Sequence, residues 1–110
     1  MEQLLKELKE YLRIDGDDEN SSLSMFLQSS IFYLENAGVK QPQDYFLQKS
    51  GVDLFSLHRL AVMMLATHFY ENRIVITPTT IKVAQIPIPY GLQSIILQLK
   101  WVDPDELSAQ

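Results

Sequence analysis

Leu4, Leu5, Leu8, Tyr11 and Leu12 recur at helical spacing near the start of the chain, while Glu2 with Lys6 and Glu10 with Arg13 can pair along the opposite side. This pattern predicts a short first helix ending near Arg13, with Gly16 supplying the left-handed conformation that closes a helix or turn. Asp15, Asp17 and Asp18 favour turns and N-caps, and Ser21 is a further candidate cap. A second helix is therefore expected to begin between Asp18 and Ser21. Its stripe of Leu23, Phe26, Leu27, Ser30, Ile31, Leu34 and Ala37 spans about five turns, and Gly38 is a natural stop.

Met25 and Phe32 do not belong to that stripe. At about 100° per residue they point nearly opposite to it, one heptad apart, so the second helix has two apolar faces. Either one of them is covered by the segment 39–52 and the other is an isolated exposed side chain, or the pair forms a subunit contact.

The stretch 38–51 has a glycine at each end and Pro42 inside it, which predicts a loop with at most one helical turn around Tyr45 to Gln48. A third helix is expected from Asp53, as cap, to about Arg73. It is apolar over most of its circumference, as a central helix must be. From Ile74 to Pro89 the pattern changes to IVITPTTIKVAQIPIP, rich in β-branched residues, with a turn at Thr77 to Thr80 and closing prolines. Prolines block ladder donors, so this segment reads as an extended stretch or loose hairpin at an edge or projecting from the body. Tyr90 to Trp101 predicts a last short helix with Leu92, Ile95, Ile96 and Leu99 on one face, and a frayed tail follows from Asp103. The expected fold class is mostly α: a small bundle of about four helices with a long extended or hairpin segment between the third and fourth. Residues 1–102 form the single domain and 103–110 a flexible tail.

Composition agrees with one small domain: 110 residues, 46% apolar and 21% charged. There is no cysteine, which removes disulfides, thiolate catalysis and cysteine-based zinc sites. The apolar run Leu60 to Ala66 is seven residues long, against the roughly 20 that a bilayer span needs. The N-terminus lacks the basic start and apolar block of a signal peptide, so the chain is expected to stay in the compartment where it is made. A net charge of −5 argues against a sequence-reading nucleic-acid binder, though not against a surface past which DNA slides.

Candidate chemistry is sparse. Counting Asp15 as the first ligand of a calcium loop puts Asn20 at the sixth position and Phe26 at the twelfth, where an EF-hand needs glycine and glutamate. His58 and His68 are ten residues apart on one helix, about 15 Å along its axis, too far to share a metal ion. Hydrogen-bonded core or boundary histidines are the expectation for both. No nucleophile elbow, glycine-rich phosphate loop or carboxylate pair with a definable cleft is present, so no enzyme activity and no cofactor is expected. Only a cleft gathering His58, Arg59 and Glu71 would reopen that question.

Three segments carry a family resemblance. YLRIDGDDEN at Tyr11 to Asn20, after a short LLKELKEYL helix, resembles the N-terminal signature of the tailed-phage head-tail connector family, also described as phage DNA-packaging proteins. LAVMMLATHFYENR at Leu60 to Arg73 is similar to the family's apolar helix ending in an aromatic-Tyr-Glu-Asn-Arg run. IPYGLQSIILQL at Ile88 to Leu99 is a weaker match to its Pro-aromatic-Gly-aliphatic start of the last helix. Each motif alone is degenerate; three in order are fairly specific. The segment Ile74 to Pro89 is longer and more β-like than the family pattern requires, and nothing after Trp101 matches.

The resemblance implies a structural virion protein at the head-tail junction, assembled from the host cytoplasm into a ring under the portal. Such a ring extends the DNA channel and offers a docking surface to a tail or stopper protein. Its implied partners are further copies of itself, the portal, the tail or stopper protein, and DNA passing without sequence-specific binding; no membrane is involved. A ring needs two different patches per subunit. Met25 and Phe32 are candidates for one, and Ile76, Pro78, Ile81 and Val83 in the extended segment for another, by strand addition to a neighbour or by ordering on docking. The alternative is a helical adaptor that binds a partner through the same apolar surfaces without forming a ring.

Overall fold

In the computed structural model, which describes residues 1–72 and 90–109, the first helix, α1 (Glu2–Leu12), closes on Arg13 and not on Gly16. Arg13 takes the left-handed conformation, φ 59° and ψ 46°, and the Ile14 amide donates back to the Lys9 carbonyl at 2.8 Å. A non-glycine residue there costs about 1 kcal/mol. Ile14, packed against the core directly after the cap, offsets that cost, as the hydrophobic partner of such caps commonly does.

The second helix, α2 (Asn20–Asn36), starts where its stripe predicts. No side chain caps it, contrary to the role expected of Asp17, Asp18 and Ser21; Glu19 occupies the cap position. Asp17 is engaged elsewhere. Its carboxylate accepts from the Lys9 ammonium at 2.7 Å and from the Asn20 side-chain amide at 3.3 Å, so it ties α1 to the first residue of α2. Leu23, Leu27, Ser30 and Leu34 are buried, and the Ser30 hydroxyl donates to the Phe26 carbonyl at 2.7 Å, which satisfies it inside the helix. Gly38, at φ +96°, ends the helix as its sequence predicts.

Where one helical turn around Tyr45 to Gln48 is expected, the chain makes a minimal antiparallel hairpin. Its strands are β1 (Gln48–Lys49) and β2 (Val52–Asp53), with Gln48 opposite Asp53 and Lys49 opposite Val52. Ser50 and Gly51 both have positive φ, 54° and 77°, as a two-residue hairpin turn of the mirror-image type demands. The third helix, α3 (Ser56–Glu71), consequently has its cap at Phe55, two residues later than expected. Asp53, two residues before that cap, accepts from the Phe55 amide at 3.3 Å while its carboxylate also holds Arg59.

Helix α3 is the wall on which α1, α2 and α4 (Tyr90–Leu99) all pack. His58, Ala61, Val62, Met63, Leu65, Ala66 and Phe69 are buried, covering most of its circumference. From α4, Leu92, Ile96 and Leu99 complete the core with Leu4 and Leu8 of α1. Each such side chain contributes about 1.5–3 kcal/mol by leaving water. Within the segment expected to be a tail, residues Pro104–Ala109 form a short helix, α5, and the Asp103 carboxylate accepts from the Asp105 amide at 3.0 Å. The described residues are thus mostly helical with one two-stranded hairpin. The expected extended stretch 74–89, including Ile76, Pro78, Ile81 and Val83, lies outside the described residues.

Candidate interaction surfaces

The acidic turn and the end of α3 meet. The Tyr70 hydroxyl donates to the Glu19 carboxylate at 3.1 Å, and the Tyr70 ring stands edge-on to Phe26 with centroids 6.4 Å apart. The Asn72 side-chain amide donates to the His68 carbonyl at 2.8 Å and so caps α3. In the run His68 to Asn72, Phe69 therefore faces the core, Tyr70 reaches the start of α2 and Asn72 closes its own helix. The two sequence segments that looked most diagnostic are parts of one joint.

A second joint centres on Arg59 of α3. Its guanidinium donates to the Tyr45 carbonyl at 2.9 Å and to both Asp53 oxygens, at 2.8 and 2.5 Å. It also faces Glu7 of α1 at 3.4 Å and lies 4.8 Å from the centre of the Phe46 ring. One side chain thus fastens the hairpin and its approach to α3 and α1. Asp53 is held below the usual carboxylate range, first by the hydrogen bond from Arg59. No signal local to Arg59 announces this role, since its partners are 6 to 52 residues away.

His58 is buried against Phe55, edge to face at 5.4 Å. Burial pushes its pKa below the usual histidine value, with a hydrogen bond to the Lys40 backbone acting the other way. His68 is shifted the same way by burial, opposed by Glu71. With Glu71, Tyr11, Met64 and Thr67 it lines a surface depression of about 220 Å³. His58, Arg59 and Glu71 do not converge: Arg59 is committed to the hairpin, and Glu71 is at the far end of the helix. Among the described residues no group of three or more histidine, aspartate or glutamate side chains could hold a metal ion, and no helix is long and apolar enough to cross a membrane.

What the structure does offer is apolar surface. Met25 is 60% exposed and Phe32 66%, both on the side of α2 that faces away from the core. Neither is covered by the segment 39–52. Sequence reading missed a second pair, Leu97, 62% exposed, and Trp101, 89% exposed, one helical turn apart along α4 and its closing turn. The spacing was available: both fall opposite the buried stripe of Leu92, Ile96 and Leu99. Tyr11, Val52 and Leu60 are also exposed but lie on separate elements.

Exposed apolar pairs on outer helix faces have the character of contact surfaces. The profile of the phage gp6-like head-tail connector protein family matches residues 2–100, and the chain belongs to that family. The role this carries is structural, at the connection between phage head and tail. No curated protein and no solved structure matches the chain.

Proposed function

We propose that the chain is the subunit of a ring that joins the portal of a phage head to the tail or stopper and extends the DNA channel. The observation that carries this reading is family membership over residues 2–100, combined with large apolar side chains left in water on the outer face of α2. Met25 and Phe32 are the proposed subunit or partner contacts on that face. Ile76, Pro78, Ile81 and Val83 are proposed as a further contact region, by strand addition to a neighbour or to the portal. The partners are other copies of the chain, the portal, and the tail or stopper protein, and the site of action is the head-tail junction of the virion, reached from the host cytoplasm. Acidic side chains turned toward the lumen would repel DNA phosphates and let the genome pass without sticking, in keeping with the net charge of −5.

The test is assembly on a portal. The full chain is mixed with a phage portal ring and examined by electron microscopy and sedimentation, and a closed ring of added density coaxial with the portal is expected. A chain that binds the portal as single copies without closing a ring would instead be a non-ring adaptor. A chain that never binds a portal would lose the connector reading altogether.

A further inference from the structure

Two exposed apolar pairs occur on different helices, and each helix turns its other side to α3. On α2, buried Leu23, Leu27 and Leu34 face inward while Met25 and Phe32 sit about 180° around the helix. On α4, Leu92, Ile96 and Leu99 face inward while Leu97 points away, and Trp101 stands exposed in the turn two residues past the helix. Helix α2 packs chiefly on α3 and α1, and α4 on α3, so the two outer faces belong to different helices and form two distinct patches. That is the arrangement a heterologous contact requires, with one patch meeting a different patch on the next copy. We infer that the outer face of α2 in one subunit receives the Leu97 and Trp101 edge of a second copy of this chain. The inference rests on the ring reading above and specifies which surfaces meet.

Area and charge both favour a second copy as the occupant. Large apolar and aromatic side chains expose roughly 150–250 Å² each when free, so the four at their observed exposures present roughly 550 Å². A standard interface hides about 1,600 Å² in all, of which about 900 Å² is apolar. These four residues would supply more than half of that. Around Met25 and Phe32 the exposed positions Ser22, Gln28 and Ser29 are uncharged, with only Glu35 charged, near the end of the helix. Around Leu97, Ser94 and Gln98 are likewise neutral, and the stem of Lys100 lies across Gly38 of its own subunit, 3.4 Å from where a Cβ would stand. Charge depletion with an aromatic or methionine centre is the composition of an interface core. By contrast the outer side of α1 carries Glu2, Lys6, Glu10 and Arg13, the pattern of a solvated face.

Trp101 is the only tryptophan in the chain, so its fluorescence reports on the proposed contact without a label. As the wild-type chain is concentrated, sedimentation should register association, and the tryptophan emission should shift to the blue in step with it. Phe32→Glu blocks one patch and Trp101→Glu the other. Each variant alone should be monomeric, with association weakened at least about thirtyfold, as for an interface hot spot. Mixed together, they should form dimers of one Phe32→Glu and one Trp101→Glu chain and stop there, since each contributes its one intact patch. Unchanged circular dichroism and melting show that both variants are folded. Association without a blue shift, or a mixture that remains monomeric while the wild type assembles, overturns the pairing and leaves the ring reading standing. Either variant assembling like the wild type overturns it equally. A wild-type chain that stays monomeric at the highest concentration overturns the pairing as a self-standing contact. The portal experiment then decides the ring reading separately.

Discussion

Replacing Arg59 with methionine keeps the apolar stem and removes the guanidinium from the joint between the hairpin, α3 and α1. The bond to the Tyr45 carbonyl, with a charged donor, contributes about 1.5 kcal/mol. The Asp53 pair is two-pronged, but its carboxylate is 29% exposed, so solvent screening holds it to about 0.5–1 kcal/mol. The Phe46 ring adds about 0.5 kcal/mol, and Glu7, at 3.4 Å and 34% exposed, a few tenths. Arg59→Met should therefore cost about 3 kcal/mol, which for a domain of this size lowers the melting temperature by roughly 12–20 °C. Arg59→Lys keeps the charge but not the fork, and should lose about half as much. Thermal melts followed by circular dichroism measure both. If Arg59→Met melts within about 3 °C of the wild type, the node does not hold the hairpin and the energetic reasoning fails.

Other perturbations follow from the same contacts. Asp17→Asn should lower the melting temperature slightly at low salt and not at high salt, because the Lys9 pair it breaks is solvent-exposed, whereas Asp18→Asn, on an exposed side chain, should change nothing. His58 has a pKa below its ordinary 6.5 in the folded chain, so the unfolded chain binds the proton more readily. Its contribution is complete above 6.5 and is lost as pH falls below it; melts between about pH 7 and about pH 5 should decline, and His58→Phe should flatten part of that decline, with His68 supplying the rest. Gly38→Ala forces a side chain into φ +96° and should cost about 1–2 kcal/mol in chemical denaturation, while an alanine at Gly16, which has open space around it, should be tolerated.

Periodic burial was the part of the fold most legible from sequence. Leu23, Leu27, Ser30 and Leu34 on α2, and Leu92, Ile96 and Leu99 on α4, were assigned from spacing alone because a helix buries one stripe and nothing else competes. Boundaries were misread where a residue serves a distant partner. Asp53 has the chemistry of a helix cap, but the hairpin places it two residues before the cap, where it serves Arg59 and the Phe55 amide together; Asp17 looks like a cap, but Lys9 claims it. The left-handed residue after α1 was assigned to Gly16 because glycine is the usual choice, while the position of Ile14 against the core requires it at Arg13. The β1–β2 hairpin is too short to leave a period, although Ser50-Gly51 carried its turn chemistry. Among the interaction surfaces, Met25 and Phe32 stood out as apolar residues on the wrong side of a long helix. Leu97 and Trp101 did not, because Leu97 is a single apolar residue on the back of a ten-residue helix and Trp101 lies two residues past its end.

The central position of α3 separates two kinds of residue that in many small domains are the same. Its buried side chains, with the inner stripes of α1, α2 and α4, hold the fold together. The outer faces of α2 and α4 are left free of that duty, a full helix diameter from the core. Substitutions there can accumulate without unfolding the chain. On the proposed reading, a change of docking partner needs substitutions on two helix surfaces only, and leaves the scaffold that presents them untouched.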